Sequence, residues 1–160
     1  MAGVGKSFTA KHMAELLGYE YVEVDEHITR EAGEIVGKDS LPDDVFVALE
    51  ESVILSLANK SKSVIDTGGS VVYSQKAMDL LREISFVVCL SDAPDNIRKR
   101  FDARGEFHLV GMAPGTNFED LFAKRRVLYE KYADIEVDVS HYSDMKNRLA
   151  YIVDMYNQNT

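Results

Sequence analysis

Short runs of apolar residues, many of them β-branched or aromatic, alternate along the chain with longer stretches in which apolar residues recur every three or four positions. The short runs predict β-strands over residues 19–25, 63–68, 85–91 and 135–141. The longer stretches predict helices over residues 6–17, 26–35, 43–59, 74–83, 94–104, 117–132 and 143–157. This alternation predicts an α/β fold in which helices cover both faces of a parallel sheet.

The first helix begins at a sequence typical of phosphate binding. Residues 5–7, Gly-Lys-Ser, complete the pattern G-x-x-x-x-G-K-[ST], whose first glycine would stand one position before Met1. In such a loop, backbone N–H groups and the helix N-terminus bind phosphates, the lysine reaches the β- and γ-phosphates, and the serine hydroxyl holds Mg²⁺. The residues expected to bind the nucleotide are Gly3, Val4, Gly5, Lys6, Ser7 and Phe8.

The strand that should lead into this loop has no residues in the sequence. In a parallel sheet of this type that strand is central, so its absence would leave two neighbouring strands without a partner. We therefore expect that Met1 is not the natural start and that an apolar segment ending in glycine precedes it.

Acidic residues and glycines follow the next two predicted strands. Glu23 and Asp25 stand two positions apart, which predicts that both lie on one side of the strand. Asp66 ends the following strand and precedes Gly68 and Gly69. Carboxylates at this edge of a sheet can hold Mg²⁺ or accept a proton from an attacking hydroxyl, although strand-terminal acids also serve simply as turn formers. We expect Ser7, Glu23 and Asp66 to bind the metal.

Composition and charge restrict the class of partner. The net charge of −9 is unfavourable for nucleic-acid binding, although two basic clusters occur over residues 97–105 and 123–131. Each cluster is interpreted either as a solvated helix face or as a site for a phosphorylated ligand. No apolar run reaches the length of a membrane span. The single cysteine, Cys89, lies in an apolar run, so we interpret it as a small buried hydrophobe and expect a cytoplasmic protein.

In their order along the chain, these segments resemble the shikimate kinases, within the nucleoside-monophosphate-kinase-like group of P-loop proteins. The matching segments are GVGKS, VDEHITREAG, DTGGSVV, IRKRFDARG and RRVLYEKYAD. The resemblance extends over nearly the whole chain. It implies a three-layer αβα sandwich with strand order 2-3-1-4-5, the first strand being absent from the sequence, in one domain over residues 1–160. It also implies a lid at about residues 103–117, where three glycines and a proline occur.

The resemblance implies a role for several residues. Asp25 would bind the hydroxyls of the acceptor and help to activate one of them, while Gly68 and Gly69 would face the acceptor. Arg125 would grip the acceptor's carboxylate, and Arg100 would lie against the adenine ring. Lys6, Asp25 and Arg125 are thus the expected catalytic residues of an ATP- and Mg²⁺-dependent kinase that converts shikimate to shikimate 3-phosphate. We expect a monomer or weak homodimer.

Two departures from the family pattern concern the acceptor. Val47 stands where the family has an arginine in F-R-x-x-E, although Glu50 is kept, and Phe107 stands where a lid arginine is expected. A bidentate arginine contact is difficult to replace. Two alternatives therefore stay open: a kinase of the same fold for another hydroxy acid, sugar acid or nucleotide, and a nucleotide-binding module without transferase activity.

Overall fold

The computed structural model describes residues 1, 3–32, 41–103, 109–112, 117–142 and 144–159. Its helices are α1 (Lys6–Leu17), α2 (Val24–Ala32), α3 (Asp43–Ser56), α4 (Gln75–Ile84), α5 (Pro94–Asp102), α6 (Phe118–Tyr132) and α7 (Met145–Asn159). Its strands are β1 (Glu20–Glu23), β2 (Ser63–Asp66), β3 (Val88–Ser91) and β4 (Ile135–Asp138). Two short 3₁₀ helices, Val71–Tyr73 and Val139–His141, follow β2 and β4. The predicted alternation of strands and helices is confirmed.

The four strands form two parallel pairs. β1 pairs with β2, and β3 pairs with β4. Because the predicted order counts the absent strand as strand 1, the observed β1 to β4 correspond to predicted strands 2 to 5. The two observed pairs are therefore the neighbours 2-3 and 4-5 of that order, and predicted strand 1 would lie between them. In the register of the first pair, Glu23 lies opposite Asp66, so both acids come to the same edge of the sheet.

Helices cover both faces of the sheet. On one face, Met13 of α1 packs with Leu149 and Ile152 of α7 against residues of β2, β3 and β4. On the other face, Val53 and Ile54 of α3 pack with residues of α4, α6 and the first strand pair, and both side chains are fully buried. The three-layer α/β architecture is therefore confirmed.

A cleft of about 370 Å³ separates the two strand pairs. Val64 and Ile65 of β2 line one side, and Val88, Cys89 and Leu90 of β3 line the other. These five side chains are only half-buried, although the strands lie between two layers of helices. The cleft thus coincides with the predicted central strand position. Cys89 is half-buried rather than fully buried for the same reason.

Several element boundaries differ from the prediction. β1 ends at Glu23 and α2 begins at Val24, so Asp25 lies in the first turn of a helix. The prediction that Glu23 and Asp25 share one side of a strand is therefore wrong. Acidic side chains such as Asp25 and Glu26 are stabilised by the helix dipole at an N-terminus, which favours the early start of α2. β4 likewise ends at Asp138, whose carboxylate accepts a hydrogen bond from the backbone N–H of Ser140 at 2.9 Å.

Most of the predicted lid, over residues 103–117, lies outside the described residues, as does the end of the predicted helix 26–35. In the part of the chain that the structure describes, no helix is both long and apolar enough to cross a bilayer.

Candidate active site

The loop before α1 exposes backbone donors at a helix N-terminus. Gly3 and Gly5 have φ angles of 82° and 92°, in the left-handed region that glycine adopts without strain. Among the described residues, no side chain caps this end of α1, and its first turn carries no acidic residue. The Lys6 ammonium lies across the loop and donates to the carbonyl oxygen of Met1 at 3.3 Å. Backbone amides at a helix N-terminus and a nearby ammonium fit an anionic phosphate chain.

Arg100 of α5 joins the loop from the side. Its guanidinium donates to the carbonyl oxygen of Gly3 at 2.9 Å and pairs with the buried carboxylate of Asp92. The arginine side chain remains 43% exposed, so part of it is accessible to a ligand. The structure thus places Arg100 beside the phosphate loop, and its stacking on adenine stays a prediction.

The predicted metal ligands Glu23 and Asp66 meet at the ends of β1 and β2. The Tyr21 hydroxyl lies 3.2 Å from Glu23 Oε2 and 3.0 Å from Asp66 Oδ2, within hydrogen-bond distance of both. Burial and the two carboxylates raise the pKa of Tyr21. Ser7, in the first turn of α1, is exposed. Carboxylate and hydroxyl oxygens are the ligands that Mg²⁺ prefers, so the donor set fits this ion.

Asp25 and Glu50 both lie close to Gly68, in the turn that follows β2. A Cβ atom built on Gly68 would lie 2.6 Å from Glu50 Oε1 and 3.7 Å from Asp25 Oδ1. Any side chain at position 68 would therefore collide with Glu50. The glycine lets the backbone and the two carboxylates approach each other closely, and that this turn faces the acceptor stays a prediction.

Arg125 of α6 lies against the next residue of this turn, Gly69. It is 2% exposed, and a Cβ built on Gly69 would lie 3.0 Å from its Nη1. The guanidinium donates to the carbonyl oxygen of Val110 at 2.6 Å and to the Tyr73 hydroxyl at 3.2 Å. Among the described residues, no carboxylate forms an ion pair with Arg125. A buried guanidinium with neutral partners can bind an anionic ligand.

Three tyrosines that the sequence analysis did not assign support these groups. Tyr129 donates to the carbonyl oxygen of Gly69 at 2.8 Å, and Tyr73 contacts Arg125. Tyr21 contacts the two acids of the metal site. The sequence could have predicted that Tyr21 lies beside Glu23, since residues 21 and 23 share one face of a strand.

The amino group of Met1 is enclosed at the centre of the site. Burial, with smaller contributions from the positive charges of Lys6 and Arg125, lowers the pKa of this group to about 4.

The two basic clusters contain both kinds of residue that the sequence analysis considered. Arg98 pairs with Asp102 and Glu119, and Arg126 pairs with Glu130 and with Glu136 of β4, all at the surface. One arginine in each cluster contacts the site instead: Arg100, which is partly exposed, contacts the loop, and Arg125, which is buried, contacts the glycine turn.

A phosphate loop at a helix N-terminus, acids at the edge of a parallel sheet, and arginines beside the loop and the glycine turn together define a P-loop kinase. A model of the shikimate kinase family matches residues 2–156. The chain is 31% identical over 139 residues to the shikimate kinase of Thermodesulfovibrio yellowstonii, with 85% of this chain and 80% of that protein covered. It is 32% identical over 146 residues to that of Synechococcus sp. strain CC9605, covering 88% and 71%.

Solved structures agree on the fold. Shikimate kinase from Acinetobacter baumannii, in complex with shikimate, superposes with a TM-score of 0.78 at 24% identity, covering 99% of this chain and 89% of that one. The chain therefore belongs to the shikimate kinase family.

Replacing Tyr21 by phenylalanine is expected to lower the free energy of unfolding by about 1–3 kcal/mol, because Asp66 is buried and would lose its hydrogen bond. Urea denaturation measures the change. Tyr151→Phe, which removes a hydroxyl from a residue that is 36% exposed, is the matched control and should stay within about 0.5 kcal/mol of the parent. Equal stability of the two variants would show that Tyr21 does not support the acids.

Proposed function

We propose that this protein transfers the γ-phosphoryl group of ATP to a hydroxyl of shikimate and forms shikimate 3-phosphate. The observation that carries this proposal is that Asp25 and Arg125 both lie against the Gly68–Gly69 turn, since Asp25 Oδ1 is 3.7 Å from the position of a Cβ on Gly68 and Arg125 Nη1 is 3.0 Å from that of a Cβ on Gly69. A carboxylate for the reacting hydroxyl and a buried guanidinium for a carboxylate suit a small hydroxy acid. The relatives named above are shikimate kinases, one of them with shikimate bound, which favours the same acceptor here.

Each residue has a part in the transfer. Lys6 and the amides of residues 3–7 hold the β- and γ-phosphates, and Arg125 fixes the acceptor through its carboxylate. Asp25 orients the attacking hydroxyl and accepts its proton as the oxygen bonds to the γ-phosphorus and the bond to the β–γ bridging oxygen breaks. Mg²⁺, held by Ser7, Glu23 and Asp66, would neutralise charge on the phosphates. Such catalysis rests mainly on positioning and charge neutralisation.

One residue favours a second candidate, an acceptor other than shikimate. Val47 is half-buried on α3 at the position where the family has arginine. If shikimate is the acceptor, Val47→Arg should tighten its binding by about 1.5–3 kcal/mol, the value of a charged hydrogen bond. If the acceptor is another polyol, sugar acid or nucleotide, this substitution should not improve activity on the true substrate. Calorimetric titration of both proteins with shikimate distinguishes the two.

Product analysis tests the proposal. The protein is incubated with ATP, Mg²⁺ and either shikimate or one of a panel of hydroxy acids, sugar acids and nucleotides, and the phosphorylated product is identified by mass spectrometry and ³¹P NMR. Shikimate 3-phosphate as the preferred product supports the proposal. Preference for another acceptor supports the second candidate, and slow ATP hydrolysis that no alcohol changes would indicate a nucleotide-binding module without transferase activity.

We further propose that the enzyme works in the cytoplasm as a monomer or weak homodimer, with neither nucleic acid nor a membrane as a partner. Cys89 is a free thiol, and burial raises its pKa, so it is kept reduced and unreactive most easily in a reducing compartment.

A further inference from the structure

Glu50 is a buried carboxyl group that the proposed transfer does not use. It lies on α3 and is 1% exposed. One oxygen, Oε2, accepts a hydrogen bond from the Ser70 hydroxyl at 2.7 Å. The other, Oε1, is buried without a hydrogen-bond partner among the described residues. Carboxylates are almost never fully buried unless they are paired, so this residue requires an explanation.

The unpartnered oxygen lies against the glycine turn of the acceptor site. Oε1 is 2.6 Å from the position that a Cβ on Gly68 would occupy. Through Ser70 and Gly68, Glu50 therefore supports the backbone that is expected to face the acceptor. Because Glu50 is only 1% exposed, it acts on the acceptor only through that turn and through its charge.

The charges around Glu50 come from several elements. Asp25 faces it from α2, Arg125 from α6 and Lys6 from α1, and Ser70 is the polar neighbour from the turn. On α3 itself, the next residue, Glu51, is engaged elsewhere, with Ser74 and with Lys76 of α4. Val47, one helical turn before Glu50, contributes no charge. Burial, reinforced by the Asp25 carboxylate and opposed by the Ser70 hydrogen bond, Arg125 and Lys6, raises the pKa of Glu50 to about 7.

We propose that Glu50 is a positioning residue which supports the Gly68–Gly69 turn as an uncharged carboxylic acid, and that its ionisation weakens the binding of an anionic acceptor. The inference rests on the proposed function, because it assigns the acceptor to this turn. Oε2 accepts from Ser70, so Oε1 carries the proton. When that proton is lost, a second negative charge appears beside Asp25 and opposes the attraction of Arg125 for a carboxylate.

The test compares acceptor binding between about pH 6 and about pH 8, on either side of neutrality. Calorimetric titration with shikimate in the absence of ATP measures affinity, and steady-state kinetics measures KM and kcat. For the parent protein we expect the dissociation constant and KM to rise roughly fivefold across this range, with a much smaller change in kcat. Glu50→Gln, which mimics the protonated acid, should bind shikimate at about pH 6 as tightly as the parent does. Its dissociation constant and KM should not rise with pH.

Two further variants serve as controls. Glu51→Gln removes the neighbouring carboxylate, which lies outside the acceptor turn, and should keep the pH dependence of the parent. Val47→Arg places a guanidinium one helical turn from Glu50, which should stabilise its ionised form and remove the pH dependence. An identical pH profile for the parent and Glu50→Gln would overturn the inference.

Stability gives a readout that needs no acceptor. Because folding raises the pKa of Glu50 from 4.5 to about 7, its contribution to stability is complete below about pH 4.5 and is lost as the pH rises through 7. Glu50→Gln should therefore gain stability relative to the parent as the pH rises across this window. If this variant does not fold, ¹³C NMR of carboxyl-labelled glutamate in the parent should reveal one group that titrates near neutral pH, and its absence would overturn the inference.

The inference and the proposed function fail in different ways. Shikimate that binds with the expected pH dependence but is not phosphorylated would overturn the function and leave the inference standing. If shikimate is phosphorylated but Glu50→Gln does not change the pH profile, the proposed function stands and the inference is overturned. Absence of shikimate binding at every pH would overturn both.

Discussion

Replacing Arg125 by alanine is expected to lower kcat/KM for the acceptor by about 10³-fold and to leave the KM for ATP nearly unchanged. The guanidinium is buried beside Gly69. Among the described residues, its hydrogen-bond partners are uncharged groups of Val110, Tyr73 and Met1. In the proposed complex, Arg125 and the acceptor's carboxylate form a buried pair of opposite charges. Removing one member of such a pair costs about 3–5 kcal/mol, which corresponds to the expected fall of about 10³-fold in kcat/KM.

The neighbouring residue provides the matched control for this experiment. Arg126 lies on the same helix but is 44% exposed and pairs with Glu130 and Glu136. Arg126→Ala should keep kcat/KM within about threefold of the parent, since exposed ion pairs contribute little. Steady-state kinetics with both substrates varied measures each constant. A kcat/KM for Arg125→Ala equal to that of Arg126→Ala would remove Arg125 from the acceptor site.

Joining a segment of about five apolar residues and a glycine to the amino group of Met1 is expected to raise the free energy of unfolding by about 3–6 kcal/mol. The cleft between β2 and β3 has apolar walls, and within the described residues the facing edges of these two strands have no strand partner. Each Val, Ile or Leu that becomes buried contributes about 1.5–3 kcal/mol, while ordering a residue costs about 1.5 kcal/mol. Hydrogen bonds to both edges add to the gain.

The gain should depend on pH in a defined direction. The Met1 amine has a pKa of about 4 in the folded protein and 8.0 as its ordinary value, so the chain with a free amine loses stability as the pH falls from about 8 to about 4. A peptide N–H at the same place does not titrate. The difference in free energy of unfolding between the two proteins should therefore widen as the pH falls through this window.

Urea denaturation of both proteins measures the gain. A segment of the same length built from glycine and serine is the control, since it cannot fill an apolar cleft. Equal stability of the apolar and the glycine-serine versions would contradict the interpretation of the cleft as a strand position.

The parts of the fold that follow from local sequence were predicted well. The glycines of the phosphate loop and the apolar spacing of α1 are local signals, so both were readable. The pairing of β1 with β2 and of β3 with β4 followed from the implied strand order. The start of α2 was not predicted because VEVDE continues the alternation of β1, while the acidic residues Asp25 and Glu26 favour a helix N-terminus.

The sequence could propose residues for the candidate site but not the contacts between them. Charge alone could not separate Arg125 from Arg126, because their difference is one of helix face and burial. Glu50 was noted in the sequence only as part of a family pattern. Its burial against Gly68 depends on the packing of α3 on the turn after β2, which joins residues 18 positions apart.

Nucleotide binding by the loop is the claim on which the other assignments depend, and isothermal titration with ADP in the presence of Mg²⁺ tests it most directly. The parent protein should bind MgADP, and Lys6→Ala should bind it at least about tenfold more weakly, since an ammonium contributes a charged hydrogen bond of about 1.5–3 kcal/mol to the phosphates. Lack of binding by the parent protein, or equal affinity in Lys6→Ala, would contradict the account.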